Sequence, residues 1–276
     1  MTAKALSAAL LALFAPLWVA AFAQPNSLQP GGFYLGEAPT GSRVIYHGRS
    51  LPLTEDNRFL IGFGRDAELT QRITLVNAAG EVSILVLRLQ PRSYRVQKID
   101  GISQKMMAPT LEDQRRIAEE AEQVYAARQI SSRILNFREA FIWPLKGRIT
   151  GIYGSQRVLN GEARRPHYGL DIAAPQGRPV VAPAGGIVRL VHEGMFFSGK
   201  TLVIDHGFGL SSSFLHLSKI LARKGQRIAQ GEKIGLVGAS GRVTGPHLDW
   251  RINWLGERLD PALWVSEHEQ EGAEPF

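Results

Sequence analysis

Lys200 to Leu217 reads KTLVIDHGFGLSSSFLHL. Two runs rich in β-branched and other apolar residues flank the glycine-containing stretch Gly207–Gly209, and neither run carries the three-and-four apolar spacing of a helix. Segments of the same kind recur on both sides: GRITGIYG at 147–154, RPVVAPAGGIVRLV at 178–191, EKIGLVG at 232–238 and HLDWRINW at 247–254. Strands of four to seven residues broken by glycine and proline predict an all-β domain over residues 142–265. The remainder, SEHEQEGAEPF at 266–276, reads as a polar tail.

Upstream, residues 24–109 show short apolar alternations in SRVIYHGRSLPL, RFLIGFG and QRITLVNAAGEVSILVLRL, with a hairpin-like connection at Asn77–Gly80. This spacing predicts a small antiparallel sandwich of immunoglobulin-like type. An extended hairpin turning at Asp100–Gly101 follows. Residues 110–141 form a helical connector. Thr110 is the N-cap, Glu112 and Asp113 occupy the first turn, and Ile117, Ala121, Val124, Ile130 and Ile134 keep helical spacing to about Asn136. The fold class is therefore mainly β: an N-terminal Ig-like β-sandwich, a connector helix and a C-terminal antiparallel, barrel-like β domain.

The first 23 residues differ from the rest. Lys4 precedes an apolar run from Ala5 to Ala20, and AFAQ at Ala21–Gln24 offers an Ala-x-Ala cleavage site after Ala23. The run contains Pro16 and is shorter than the ~20 residues of a membrane span, so an exported protein with no stable membrane anchor after cleavage is expected. Cysteine is absent, which excludes disulfides and thiolate metal sites. The 32 Lys and Arg against 25 Asp and Glu give a net charge of +7, or +6 without Lys4, a balance suited to anionic envelope polymers. The basic residues are scattered, so nucleic acid is not an expected partner.

Five residues of the C-terminal domain carry metal or proton-transfer chemistry. His167 and Asp171 lie four apart, with Gly169 between them to let the chain bend. His216 ends an apolar strand. His247 and Asp249 alternate on one face of a strand introduced by Gly245 and Pro246. Alone, each of these reads as structural. Together, three segments each deliver a histidine, two also deliver an aspartate, and three protein ligands beside an open position characterise a catalytic zinc. His192 and His206 lie outside this set, His206 as a residue bonded to backbone.

The ordered segments HYGLDIAAPQGRPVVAPAGGIV, VIDHGFGLSSSFLHLSKI and GLVGASGRVTGPHLDWRI resemble the motifs of the lysostaphin and LytM-type zinc endopeptidases of peptidoglycan, over about Trp143 to Pro261. The preceding β segments are similar to the extra domain of Gram-negative, periplasmic members. The resemblance implies one zinc ion per chain held by His167, Asp171 and Asp249. It makes His247 a general base or acid, and His216 the residue that orients water and stabilises the transition state. Asp249 departs from the pattern, standing where the family has a histidine. Two carboxylates and one imidazole make a harder, less positive site, which should acidify water less and accept other divalent ions more readily.

The function so implied is cleavage of peptide crosslinks or stem peptides of peptidoglycan in the periplasm. The alternatives are a catalytically inactive LytM-type regulator that activates a cell-wall amidase, or a wall-binding module; a regulatory envelope protein is a further partner the reading allows. Arg157, Arg164 and Arg165 lie near enough in sequence to frame the groove and meet acidic groups of the stem peptide.

Overall fold

The computed structural model describes residues 28–99, 109–159 and 161–265. The expected leader at 1–23, the turn at Asp100–Gly101 and the tail at 266–276 lie outside the described residues. No helix among the described residues is long and apolar enough to cross a membrane.

The N-terminal half contains six antiparallel strands: β1 (Phe33–Glu37), β2 (Arg43–Tyr46), β3 (Arg49–Leu51), β4 (Arg58–Gly62), β5 (Thr70–Val76) and β6 (Val82–Arg88). They form a two-stranded sheet, β1-β4, and a four-stranded sheet in the order β3-β2-β5-β6. Alternation in β2 and β5 buries Val44, Tyr46, Ile73 and Leu75, which join Phe59 and Ile61 of β4 in one core. The β5–β6 turn is built by Asn77, whose Oδ1 accepts hydrogen bonds from the backbone N–H groups of Ala79 and Glu81 at 3.0 and 2.9 Å. β7 (Val96–Ile99), the first arm of the expected hairpin, pairs in parallel with a strand of the C-terminal half, β9 (Gln156–Leu159), described below.

The helix α1 (Leu111–Gln129) opens with a capping box: the Thr110 hydroxyl accepts from the N–H of Asp113 at 3.1 Å, and the Asp113 carboxylate accepts from that of Thr110 at 3.2 Å. It ends at Gln129, short of the expected Asn136. Ile130 is extended, and the Ser132 carbonyl accepts from the N–H of Phe208 at 2.9 Å, so residues beyond the cap bond to a neighbouring turn instead of continuing the helix. Ile130 and Ile134, which the spacing placed on the helix, are off it. Its inner side carries Glu120, Ala127 and Arg128, and it packs on two strands of the C-terminal sheet.

In the C-terminal half the strands are β8 (Arg148–Gly151), β9, β10 (Glu162–Ala163), β11 (Leu170–Ala173), β12 (Pro179–Val181), β13 (Gly186–Met195) and β14 (Gly199–Gly207). They continue with β15 (Leu210–Leu217), β16 (Lys219–Ile220), β17 (Arg227–Ile228), β18 (Lys233–Leu236), β19 (His247–Trp254) and β20 (Glu257–Leu259). An antiparallel sheet runs β17-β13-β14-β15-β19-β11-β8, with β20 paired to β19, and α1 lies on β13 and β14. A smaller sheet, β12-β18-β16, meets the large one where β16 lies against β14. The two halves share one core. Phe33 of β1 stacks on Trp264 with ring centroids 3.9 Å apart, and Trp264 also meets Phe141.

Strand β19 shows why the sequence alternates. Leu248, Trp250, Ile252 and Trp254 are buried in the core, Trp250 edge-on to Trp143. The opposite face presents His247, Asp249, Arg251 and Asn253 in a row, and all four line a cleft of about 1110 Å³ whose far wall is α1.

Candidate metal centre

Strand pairing assembles the centre. Asp171 of β11 stands directly opposite Asp249 of β19, and His167 lies on the segment leading into β11. One donor atom from each of His167, Asp171 and Asp249 can be chosen so that all lie within 4.8 Å of one another. Donors that share one ion at ~2 Å lie no more than about 4 Å apart, so the three side chains would draw together to hold it. Nε2 of His167 is buried, makes no hydrogen bond among the described residues, and sits 3.1 Å from Oδ1 of Asp171. An orphaned imidazole nitrogen facing two carboxylates fits a divalent cation.

Two glycines make room for those carboxylates. A Cβ on Gly151 would lie 2.2 Å from Oδ2 of Asp171, and one on Gly169 would lie 2.1 Å from Oδ1 of Asp249. The glycine between His167 and Asp171 therefore serves close approach as well as the bend.

Asp249 is gripped from the side. Nε of Arg251 donates to its Oδ1 at 2.9 Å and to its Oδ2 at 3.1 Å, and Nη2 also donates to Oδ2. Burial opposes ionisation of Asp249, but the Arg251 guanidinium and nearby histidines outweigh it and hold the carboxyl well below the usual range. The Asp249 carboxyl is thus held in its anionic form.

The other two histidines flank the triangle. Their ring centroids are 4.9 Å apart, and Nε2 of His247 is 3.8 Å from Oδ1 of Asp171. Nδ1 of His216 bonds the Ser240 carbonyl at 2.9 Å and Nδ1 of His247 bonds the Gly245 carbonyl at 2.9 Å. A carbonyl only accepts, so both Nδ1 atoms carry hydrogen and both Nε2 atoms are left for chemistry. Burial lowers the pKa of His216, favouring its neutral form. Its backbone is left-handed, φ 64°, a strain of about 1–3 kcal/mol for a non-glycine residue that clusters at functional sites. By contrast His206 is buried, bonded to the Gly185 carbonyl and the Ser212 hydroxyl, and faces away from the centre.

All five residues singled out by sequence come together in one cleft. Arg164 and Arg165 line it too, while the side chain of Arg157 lies outside the described residues. Sequence reasoning missed Arg251, Asn253 and Arg128. The alternation that paired His247 with Asp249 extends to Arg251 and Asn253, so that signal was present; Arg128 reaches the cleft from α1 and had none.

Residues 165–261 match the model of peptidase family M23. Peptidoglycan DD-endopeptidase ShyA of Vibrio cholerae is 45% identical over 108 residues, covering 39% of this chain and 25% of that protein. Peptidoglycan DD-endopeptidase ShyB of the same organism is 45% identical over 87 residues, covering 32% of this chain and 20% of that protein. The chain thus spans a quarter or less of the curated relatives it matches. A crystal structure described as a peptidase M23 from Pseudomonas aeruginosa aligns with a TM-score of 0.68 at 31% identity, covering 87% of this chain and 96% of that chain. With the family model lying over the cleft strands and a solved structure matched along nearly its whole length, the chain belongs to peptidase family M23.

Proposed function

We propose that this protein is a zinc-dependent endopeptidase that cleaves peptide crosslinks or stem peptides of peptidoglycan, exported to the periplasm by its first 23 residues. The observation that carries the reading is the convergence of His167, Asp171 and Asp249, with two imidazole Nε2 atoms beside them, in an open cleft. The names of the DD-endopeptidase relatives support the substrate.

Zinc held by His167, Asp171 and Asp249 would supply Lewis acidity, polarising the scissile carbonyl and lowering the pKa of water. Neutral His216 offers Nε2 as an acceptor that orients the attacking water. His247, whose Nδ1 is likewise tied to a carbonyl, takes the proton on Nε2 and returns it to the departing amine. A protein that only docks to the wall or activates an amidase needs no such convergence of donors.

The test is digestion of purified sacculi by wild-type, Asp249→Ala and Asp249→His proteins, with metal analysis of each. Wild type should retain about one zinc per chain, cleave crosslinks and stop with chelator; Asp249→Ala should lose both metal and activity. A wild-type protein that holds no metal and leaves the crosslinks intact overturns the proposal.

A further inference from the structure

Beyond the metal centre the same cleft contains more cationic donors than acceptors. Arg128 is only 8% exposed although it is charged. Its Nη2 donates to the Ser213 hydroxyl at 2.9 Å, but its buried Nε has no hydrogen-bond partner among the described residues. Ser213 stands directly opposite Arg251 across the β15–β19 pair. One step further along β19 lies Asn253, 1% exposed, whose Nδ2 also lacks a partner. Its Oδ1 accepts from Nη1 of Arg258 at 2.6 Å, and Arg258 is its neighbour across the β19–β20 pair.

Three guanidinium groups therefore gather on adjoining strands and the facing helix. Among the described residues Arg251 forms one ion pair, with Asp249, and neither Arg128 nor Arg258 forms any. Burial and the charges of Arg258 and Arg251 hold the pKa of Arg128 well below its ordinary value, the direction expected when buried cations lack a counter-ion. Buried donors and unbalanced charge of this kind are costly without an anion. Planar guanidinium forks suit a planar carboxylate, which can accept two parallel N–H bonds.

We propose that Arg128, Arg251 and Arg258, with the side-chain amide of Asn253, form a carboxylate-binding subsite that selects peptides carrying a free carboxylate near the scissile bond. Position along β19 sets the reach. Arg251 and Asn253 lie two and four residues from the ligand Asp249, about 7 and 14 Å at the strand rise, so the carboxylate falls within roughly four residues of the bond cut. The inference rests on the peptidase reading for its substrate class, whereas its own observable is binding. The carboxylate can come from a side chain or from the end of a peptide; both present the same group.

The experiment is calorimetric titration of the chelator-treated full chain with a synthetic crosslinked stem-peptide dimer in three forms: all carboxylates free, only the terminal ones amidated, and only the side-chain ones amidated. The free form should bind at least tenfold more tightly than one amidated form, and which one identifies the source. Arg128→Met and Arg258→Met should each bring that ratio below threefold. A purely structural Arg128, holding α1 to β15, would change the melting temperature of Arg128→Met but leave the ratio intact. If Arg128→Met does not fold, Arg258→Met on β20 and the wild-type ratio still decide. Equal affinity for all three peptides, no binding of any, or discrimination that survives both substitutions overturns the proposal. Failure of the peptidase reading shows separately, as absence of cleavage when zinc is restored.

Discussion

Gly169→Ala tests the metal centre without touching a ligand. The new Cβ would stand 2.1 Å from Oδ1 of Asp249, 2.8 Å from Cγ of Arg251 and 3.1 Å from the Trp250 carbonyl oxygen. Ordinary contact begins near 3.4 Å, so the Asp249 carboxylate must retreat by more than 1 Å or the strand must move. Metal–ligand distances tolerate only about ±0.2 Å, so the retreat removes a ligand. Zinc affinity should fall on the order of 10–100-fold, the range found when ligand positioning is disturbed. The crowding should also cost about 1–3 kcal/mol of stability. Gly245→Ala is the control: it lies two residues before His247, its Cβ would meet nothing within 4 Å, and it should bind zinc as wild type does. The assay is competition with a chelator of known affinity, alongside thermal melting of the metal-free proteins. Wild-type zinc affinity in Gly169→Ala would refute the reasoning, because it would mean that the carboxylate position does not matter.

Burial lowers the pKa of both His206 and His216, so the unfolded chain binds protons that the native one refuses. Stability is then full above the unfolded value of 6.5 and is lost as pH falls below it, by up to about 1.4 kcal/mol per pH unit for each group. His206→Gln should flatten that acid limb in the metal-free protein, read from urea melts between pH 7 and 5; an unchanged slope counts against it. Thr110→Ala removes the capping box of α1 and should cost about 1 kcal/mol, seen as faster hydrogen exchange in the first turns of the helix. Phe33→Ala removes the stack on Trp264 and should cost about 3–5 kcal/mol. Because the core is continuous, both halves should melt in one transition at a lower temperature; separate transitions would contradict a shared core.

The strands and the candidate centre were legible because alternation is a local signal that burial enforces. In β19 a one-residue slip would drive His247, Asp249 and Arg251 into the core and expose Trp250, so the pattern and the register are the same information. The end of α1 was not legible. Nothing local marks Gln129 as a stop, and the chain leaves the helix because Ser132 is bonded to Phe208, seventy-six residues downstream. The charged part of the inward side of α1 was not legible for a related reason. Isoleucine spacing suggested an apolar face, yet Glu120 is buried because its carboxylate accepts from Arg116 and from the N–H of Phe196. Arg116 is a local partner four residues away, but Phe196 lies seventy-six residues downstream, and a partner that distant leaves no periodicity in the sequence.

The aspartate that stands in place of a histidine acquires a physical rationale from its neighbour on the same face. Two histidines and one carboxylate around a divalent ion leave a formal charge of +1. One histidine and two carboxylates leave zero, and taken alone that change would weaken the field on a polarised carbonyl. Arg251 restores the lost charge, since its guanidinium is held against Asp249 through a forked contact and lies in the same cleft. The guanidinium also draws electron density from the carboxylate it binds, so in the proposed centre Asp249 would donate more weakly to an ion than a bare aspartate. Asp249 and Arg251 therefore act as one unit whose net charge is that of a neutral imidazole. Its cation is displaced along β19 toward Asn253 and Arg258, which places positive potential on the side of the cleft where Arg128 descends from α1. On the proposed ligand set and subsite, the Asp249–Arg251 pair would keep the charge of the centre and move part of it to where a substrate carboxylate would lie.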